Sequence, residues 1–193
     1  MAARNRMPPW HESIRLANGR EVLVRPIRPE DAVPLRAGFD LLQPDEVRQR
    51  FLYPMKELSA EQAERLTRPN TRREFALVVA EPQPPGEALI GAVARIAVDE
   101  DGRAGEFAIL VSHYINGMGL GRHLMRRLVR WAKGRKLDRV YGEVLESNLP
   151  MQALAASLDF RREHGDSPGL VRMVLDVPKP KPRIRTPATQ PLV

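Results

Sequence analysis

Two features of this sequence have residue types and spacing that could do chemistry. The first is Asn116-Gly117-Met118-Gly119-Leu120-Gly121-Arg122, which follows the apolar run Glu106–Val111 and opens a helix-like run from Leu120 to Lys136. Glycines between a strand and a helix N-terminus let a ligand approach the backbone closely. The N–H groups there, added to the helix dipole, suit a phosphate or pyrophosphate. The bland reading is a glycine-rich turn before a helix. The second feature is Glu106, a carboxylate within the otherwise apolar Ala104-Gly105-Glu106-Phe107-Ala108-Ile109. A carboxylate there is costly unless it is partnered or faces solvent, and a positioned one can take a proton. Glu143, also within a strand-like run, is second to it, and Glu146, at that run's end, is third.

Two familiar phosphate loops do not fit. A nucleotide-triphosphate loop needs Lys-Ser or Lys-Thr after the glycines, and neither is present. The dinucleotide fingerprint belongs in an opening strand-to-helix unit with G-x-G-x-x-G spacing, whereas these glycines are alternate residues past the middle of the chain. The form [Q/R]-x-x-G-x-[G/A] fits better, with Asn116 in the first place followed by Gly119 and Gly121. It resembles the pyrophosphate loop of the GNAT superfamily, the acyl-CoA-dependent N-acyltransferases. The neighbours agree in order. A second strand-like run, Arg139–Leu145, leads to Asn148 and Met151 in the superfamily's N-x-x-[AM] places, and Leu158-Asp159-Phe160 stands where L-G-F is usual. Upstream, Val24-Arg25-Pro26-Ile27-Arg28-Pro29-Glu30-Asp31 is similar to the R-P-x-R-P-x-D opening of the same domains. Over roughly residues 12 to 177 the chain most resembles the acetyltransferase domain of bacterial protein-lysine acetyltransferases.

That resemblance implies an α/β fold: a single GNAT domain with a mixed, mostly antiparallel central sheet flanked by helices. It implies acetyl-CoA as donor and an amine as acceptor, foremost a protein lysine ε-amine, in a direct ternary complex. Only roughly one lysine amine in two thousand is neutral at pH 7, so a general base is useful, and the resemblance supports Glu106 for it. Leu110 and Val111 would offer backbone groups to the pantetheine arm. Asn116, Gly117, Met118, Gly119, Leu120, Gly121 and Arg122 would cradle the pyrophosphate, and Asn148 would reach the pantetheine or its neighbouring backbone, unless it serves as a turn residue or helix cap. Three departures stand out: Asn116 is short for its place, Asp159 replaces a glycine and should take a left-handed turn, and no Tyr follows Asn148 to protonate the leaving thiolate. Ser147, Ser157 or water remain for that step. Two other functions stay open: a small-molecule amine or amino-acid acetyltransferase, and a catalytically silent acyl-CoA sensor.

The bulk properties bound these readings. A length of 193 residues with 42% hydrophobic residues suits one domain. No apolar run approaches the ~20 residues of a membrane span, and Met1–Trp10 lacks a secretory signal's apolar stretch, so the expectation is a cytoplasmic protein with no membrane partner. There is no cysteine, and His11, His113, His123 and His164 show no ligand spacing, so no metal is expected. Of the net charge of +7, residues 178–193 carry +4. Arg122, Arg126, Arg127, Arg130, Lys133, Arg135 and Lys136 follow the glycine loop, but 5% aromatic content gives base stacking little support, which argues against nucleic acid. The sequence does not specify an oligomeric state.

The elements that must hold these residues can be read along the chain. Residues 1–12 read as a flexible lead, 13–177 as the domain and 178–193 as a Pro/basic disordered tail. Strands at Ser13–Leu16 and Glu21–Arg25 flank Asn18-Gly19, a hairpin signal in which both turn positions favour positive φ. A helix from Pro29 should turn Val33, Leu35, Phe39 and Leu42 inward. A short one covers Asp45–Phe51, and another follows the Ser59-x-x-Gln62 capping box. Strands are expected at Glu74–Ala80, Ala88–Val98, Gly105–Val111, Arg139–Leu145 and Val171–Val177, the last hairpin-paired with Phe160–His164. Leu120, Leu124, Leu128 and Trp131 form the inward stripe of the helix after the glycines.

Overall fold

Apolar runs such as Phe75–Ala80 can only be satisfied by covering both faces of a sheet, and the computed structural model, which describes residues 10–178, does that. In chain order it contains β1 (Glu12–Arg15), β2 (Glu21–Pro26), α1 (Ala32–Asp40), α2 (Pro44–Phe51), α3 (Ala60–Thr67), β3 (Glu74–Ala80), β4 (Ile90–Val98), β5 (Ala104–Val111), α4 (Leu120–Gly134), β6 (Arg139–Leu145), α5 (Leu149–Ala156), β7 (Arg161–His164) and β8 (Leu170–Asp176). The eight strands form one sheet in the order β1-β2-β3-β4-β5-β6-β8-β7. Every neighbouring pair is antiparallel except β5 with β6, which are parallel and joined through α4. A parallel pair needs such a crossover.

The amphipathic α4 buries Leu120, Leu124, Met125, Leu128 and Ala132 against Ala92, Ala94, Ile96, Phe107 and Ile109 on one face of the sheet. Trp131 lies at the edge of that stripe and stacks on Phe75 with ring centroids 5.6 Å apart. The opposite face is covered by α1, α2 and α3. Ile27, Ala76, Val78 and Ile90 form one apolar cluster there, and Phe39, Val47, Leu58 and Ala63 form another. α1 sits close to β4, since a Cβ on Gly38 would be 3.0 Å from the Ile90 carbonyl oxygen. α3 starts as expected: Ser59 Oγ accepts the Gln62 N–H at 3.1 Å and Gln62 Oε1 accepts the Ser59 N–H at 2.9 Å. Asp159 takes the left-handed conformation its place requires, at φ 67°.

Three local expectations change. The turn at Asn18-Gly19 is not the two-residue form, because only Gly19 has positive φ (81°). Gly19 N–H bonds Leu16 O and Leu16 N–H bonds Arg20 O, which is a wider turn ending in a bulge at the glycine. Val33 faces solvent at 75% exposure, because the close approach at Gly38 turns Pro34 and Gly38 inward beside Phe39, which is buried as expected. α4 ends at Gly134, two residues early, since Lys136 adopts φ 60° and sends Leu137 N–H back to Ala132 O. At the domain's edges, Glu12 already pairs with Val24, one residue before the expected boundary. The rest of the expected lead, residues 1–9, and all of the expected tail but Pro178 lie outside the described residues.

Candidate active site

β5 and β6 pair for only three residues: Ala104 with Arg139, Gly105 with Val140, and Glu106 with Tyr141. Beyond that point each strand keeps its other neighbour. β5 follows β4 as far as Val111, and β6 follows β8 as far as Leu145, so the sheet splits. Phe107 is the wedge. Its ring lies where a side chain at position 142 would go, 2.6 Å from a Cβ built on Gly142, and it meets Phe160 edge-to-face at 5.5 Å. The split leaves the backbone of Ile109–Val111 without a strand on the β6 side.

The glycine loop closes the far end of the split. Gly117 and Gly119 have φ of 76° and 81°, and a Cβ at either would meet nothing within 4 Å. Gly119 caps α4, whose first intrahelical bond runs from His123 N–H to Gly119 O at 3.1 Å. The N–H groups of Leu120, Gly121 and Arg122 precede that bond and have no intrahelical acceptor. Gly121 sits against α5, 3.0 Å from Leu154 Cδ2 if it carried a Cβ. The Asn116 Oδ1 accepts the Gly117 N–H at 2.7 Å, so that donor already has an internal partner. Arg122 Nη2 donates to Ser157 Oγ at 2.7 Å, bracing α4 against α5.

Two grooves meet here. One, of about 310 Å³, is lined by Leu110, Val111, Asn116, Gly117, Gly119, Leu120, Gly121, Arg122 and Asn148. Of the residues expected around a cofactor, only Met118 is not on its wall; it packs against the core instead. The other, of about 210 Å³, holds Glu106, Glu143 and the end of α2. Gln49, Arg50, Ile109, Asn148 and Met151 line both, so the two are continuous. Asn148 is buried and caps α5, with Oδ1 accepting the Met151 N–H at 3.2 Å. α2 roofs the junction. Its Glu46 accepts the His113 N–H at 2.6 Å, meets His113 Nδ1 at 3.0 Å and accepts the Gln43 N–H at 2.7 Å, which ties the roof to the end of β5.

Glu106 opens onto the second groove beside a charged network. Tyr141 donates its hydroxyl to Asp99 Oδ1 at 3.0 Å. Arg172 pairs with Glu143 and Asp166 and lies 4.9 Å over the Tyr141 ring. Glu106 is exposed on the groove side, and partial burial pushes its carboxyl above the ordinary value. The Asp99 and Glu143 carboxylates push it further, against the pull of Arg172 and Arg50. Arg50 is pushed down to about 10, first by burial and then by Arg95, with its guanidinium 5.0 Å over the Phe51 ring. Glu143 is thus held as an ion-pair partner, and Glu146 pairs with Arg162 at 3.7 Å outside both grooves. Neither Ser147 nor Ser157 lines a groove, and the Ser157 hydroxyl donates to Leu154 O at 2.6 Å. Gln49 and Arg50 carried no sequence signal, because a charged short helix gives no hint of what it covers.

Among the described residues no helix is long and apolar enough to cross a membrane, and no group of three His, Asp or Glu side chains could hold a metal. Comparison with known proteins agrees with the geometry. Residues 21–161 match the acetyltransferase (GNAT) domain family. The chain is 30% identical to Acetyltransferase PA5475 of Pseudomonas aeruginosa, over 82% of this chain and 84% of that one. In fold it is similar to the GNAT domain of S. lividans PAT, with a TM-score of 0.76 and 24% identity over 89% of this chain and 99% of that one. A cAMP-binding acyltransferase from Mycobacterium smegmatis gives a TM-score of 0.59 at 20% identity, over 88% of this chain but 48% of the longer protein. A split parallel pair, a glycine loop at a helix N-terminus and these matches lead to one assignment: the chain belongs to the GNAT acetyltransferase family, the acyl-CoA-dependent N-acetyltransferases.

Proposed function

We propose that this enzyme moves an acetyl group from acetyl-CoA to a protein lysine ε-amine in a direct ternary complex, with Glu106 as general base. The observation that carries this reading is the continuous groove running from the glycine loop, past Leu110, to Glu106 at the point where the sheet splits. The pyrophosphate would lie on the free N–H groups of Leu120, Gly121 and Arg122, with Gly117 and Gly119 leaving the room a side chain would fill. The pantetheine arm would add as a strand beside Leu110 and Val111, in the space β6 vacates. Asn148 would fix the backbone at the junction.

The chemistry then runs from the acceptor groove. Glu106 takes a proton from the incoming ammonium, and the neutral amine attacks the thioester carbonyl carbon. The tetrahedral intermediate collapses with loss of the C–S bond, and the thiolate leaves. The nitrogen's excess proton passes to solvent and the thiolate is protonated from it, since neither Ser147 nor Ser157 lines the groove. The raised pKa of Glu106 favours its work as a base near neutrality. Glu106 and Glu143 on the wall of the acceptor groove, with Asp99 near enough to act on Glu106, suit a cationic side chain. A second reading, a small acceptor carrying both an amine and a carboxylate, is favoured by Arg50 facing Glu106 across the same groove. Titration calorimetry with acetyl-CoA, followed by acetylation of a lysate and of an amine panel, tests both. Turnover on proteins supports the first and turnover on amino acids alone supports the second. Tight binding with no turnover would leave a silent sensor.

A further inference from the structure

We infer that an apolar hollow beside Leu110 is a subsite for acyl chains longer than acetyl, so that the donor range extends to propionyl- and butyryl-CoA. This rests on the donor groove proposed above. The hollow lies between the sheet and the helical layer, at the seam where the two apolar clusters of that face fail to close on each other. It measures about 50 Å³, several times the space one water needs. Its wall includes Ile27, Phe39, Leu42, Leu58, Val93 and Leu110. Leu110 and Val93 are direct partners in the β5–β4 ladder, and Leu110 is also a wall of the donor groove. Arg50 stands where the hollow, the donor groove and the acceptor groove meet.

A mostly apolar hollow forfeits contacts along its lining, and an apolar guest recovers them better than water does. The guest at hand is the acyl group of a thioester whose pantetheine passes Leu110. Acetyl has only a methyl to offer. Propionyl and butyryl add methylenes that would leave water for the hollow. Of the polar residues on its wall, Arg95 is engaged with Leu66 O at 2.7 Å and the Ser112 N–H with Gly91 O at 2.9 Å, which leaves Arg50 where the hollow meets the grooves.

The test is direct binding, which needs no acceptor. CoA, acetyl-CoA, propionyl-CoA, butyryl-CoA and succinyl-CoA are titrated into the wild type and into Val93→Phe, with thermal melts to confirm that each protein is folded. The affinity should rise about fourfold per added methylene from acetyl to butyryl, and Val93→Phe should erase that rise while CoA itself binds within twofold of wild type. Val93→Ala, a milder change, should move the optimum to a longer chain. A flat series in a protein that binds CoA would overturn the subsite alone. Succinyl-CoA binding tighter than butyryl-CoA would also overturn it, by making Arg50 the determinant. No binding of CoA at all would overturn the donor groove and the subsite together.

Discussion

Glu106 and Tyr141 are the last pair of the parallel ladder between β5 and β6, and the sheet opens at the next residue. A carboxylate at that vertex faces the groove while its strand stays anchored to β4 through the pairing of Glu106 with Ala97. Tyr141 holds the other side of the vertex by its bond to Asp99. The base candidate therefore sits on rigid backbone, which suits a group that must meet a proton at a fixed place.

Glu106→Gln keeps the side chain's size and removes the charge and the basic oxygen. In steady-state kinetics its kcat should fall roughly 10²–10⁴-fold, with acetyl-CoA affinity by calorimetry unchanged. Raising the pH should restore part of the rate, since more acceptor is then already neutral. Glu143→Gln breaks the ion pair with Arg172 rather than the proton path, so its loss should be much smaller. Equal, small losses in the two variants would point to catalysis by positioning alone.

The same carboxyl carries a stability signature. Its pKa is raised on folding, so the native state holds the ionised form less well than the unfolded chain does. The resulting destabilisation is full above the native pKa and gone below the unfolded value of about 4.3. Because Glu106 is exposed on the groove, solvent screens most of this effect, so Glu106→Gln should melt only slightly higher than wild type at pH 7, with the gap closing as the pH is lowered toward 4. A variant that melts lower at pH 7 would contradict the raised pKa. The acid limb of wild-type kcat/KM should likewise lie above that of an ordinary glutamate and vanish in the variant.

At the glycine loop the two positions fail differently. Gly119 has positive φ, so Gly119→Val strains the loop as well as filling it. Gly121 is helical, and a small side chain there meets the end of Leu154 at 3.0 Å and Val111 Cγ2 at 4.0 Å. Gly121→Ala should keep the melting temperature within a few degrees, and Gly121→Val should weaken acetyl-CoA binding by about 100-fold or more, because its methyls occupy the approach to the Leu120–Arg122 N–H groups. Unchanged affinity in both Gly121→Val and Gly119→Val would remove the donor assignment.

What could be read from the sequence was local. The Ser59–Gln62 capping box, the left-handed turn at Asp159 and the glycines ahead of α4 are set by residues a few positions apart, and each is found where the sequence puts it. Glu106 stood out because a charge in an apolar strand needs a reason. The surroundings that raise its pKa were not legible. The Tyr141–Asp99 bond spans 42 residues and the Glu46–His113 tie spans 67. Nothing local marks Phe107 as the wedge either, since its partner is the missing side chain of Gly142. Val33 misled for the same reason: its helix was oriented by a contact of Gly38 with a strand 52 residues on.

Within the opening R-P-x-R-P-x-D segment, Arg25 and Asp31 form a strut outside both grooves. Arg25 and Asp31 are both fully buried and joined by two bonds, of 2.7 and 2.8 Å. Asp31 also accepts the Arg28 N–H at 2.9 Å and the Gly86 N–H at 3.2 Å, so one carboxylate ties β2, the entry to α1 and the loop before β4. Removing one charge leaves the other buried without its partner, which costs roughly 3–5 kcal/mol, while replacing both with apolar groups can be nearly neutral. Asp31→Asn should thus lower stability in urea by about that amount, and Arg25→Met with Asp31→Leu should recover much of it, short of the two lost N–H contacts. Acetyl-CoA affinity, measured well below each variant's melting temperature, should not move in either. An affinity loss in the folded double variant would show that the pair positions the donor groove as well as holding the fold together.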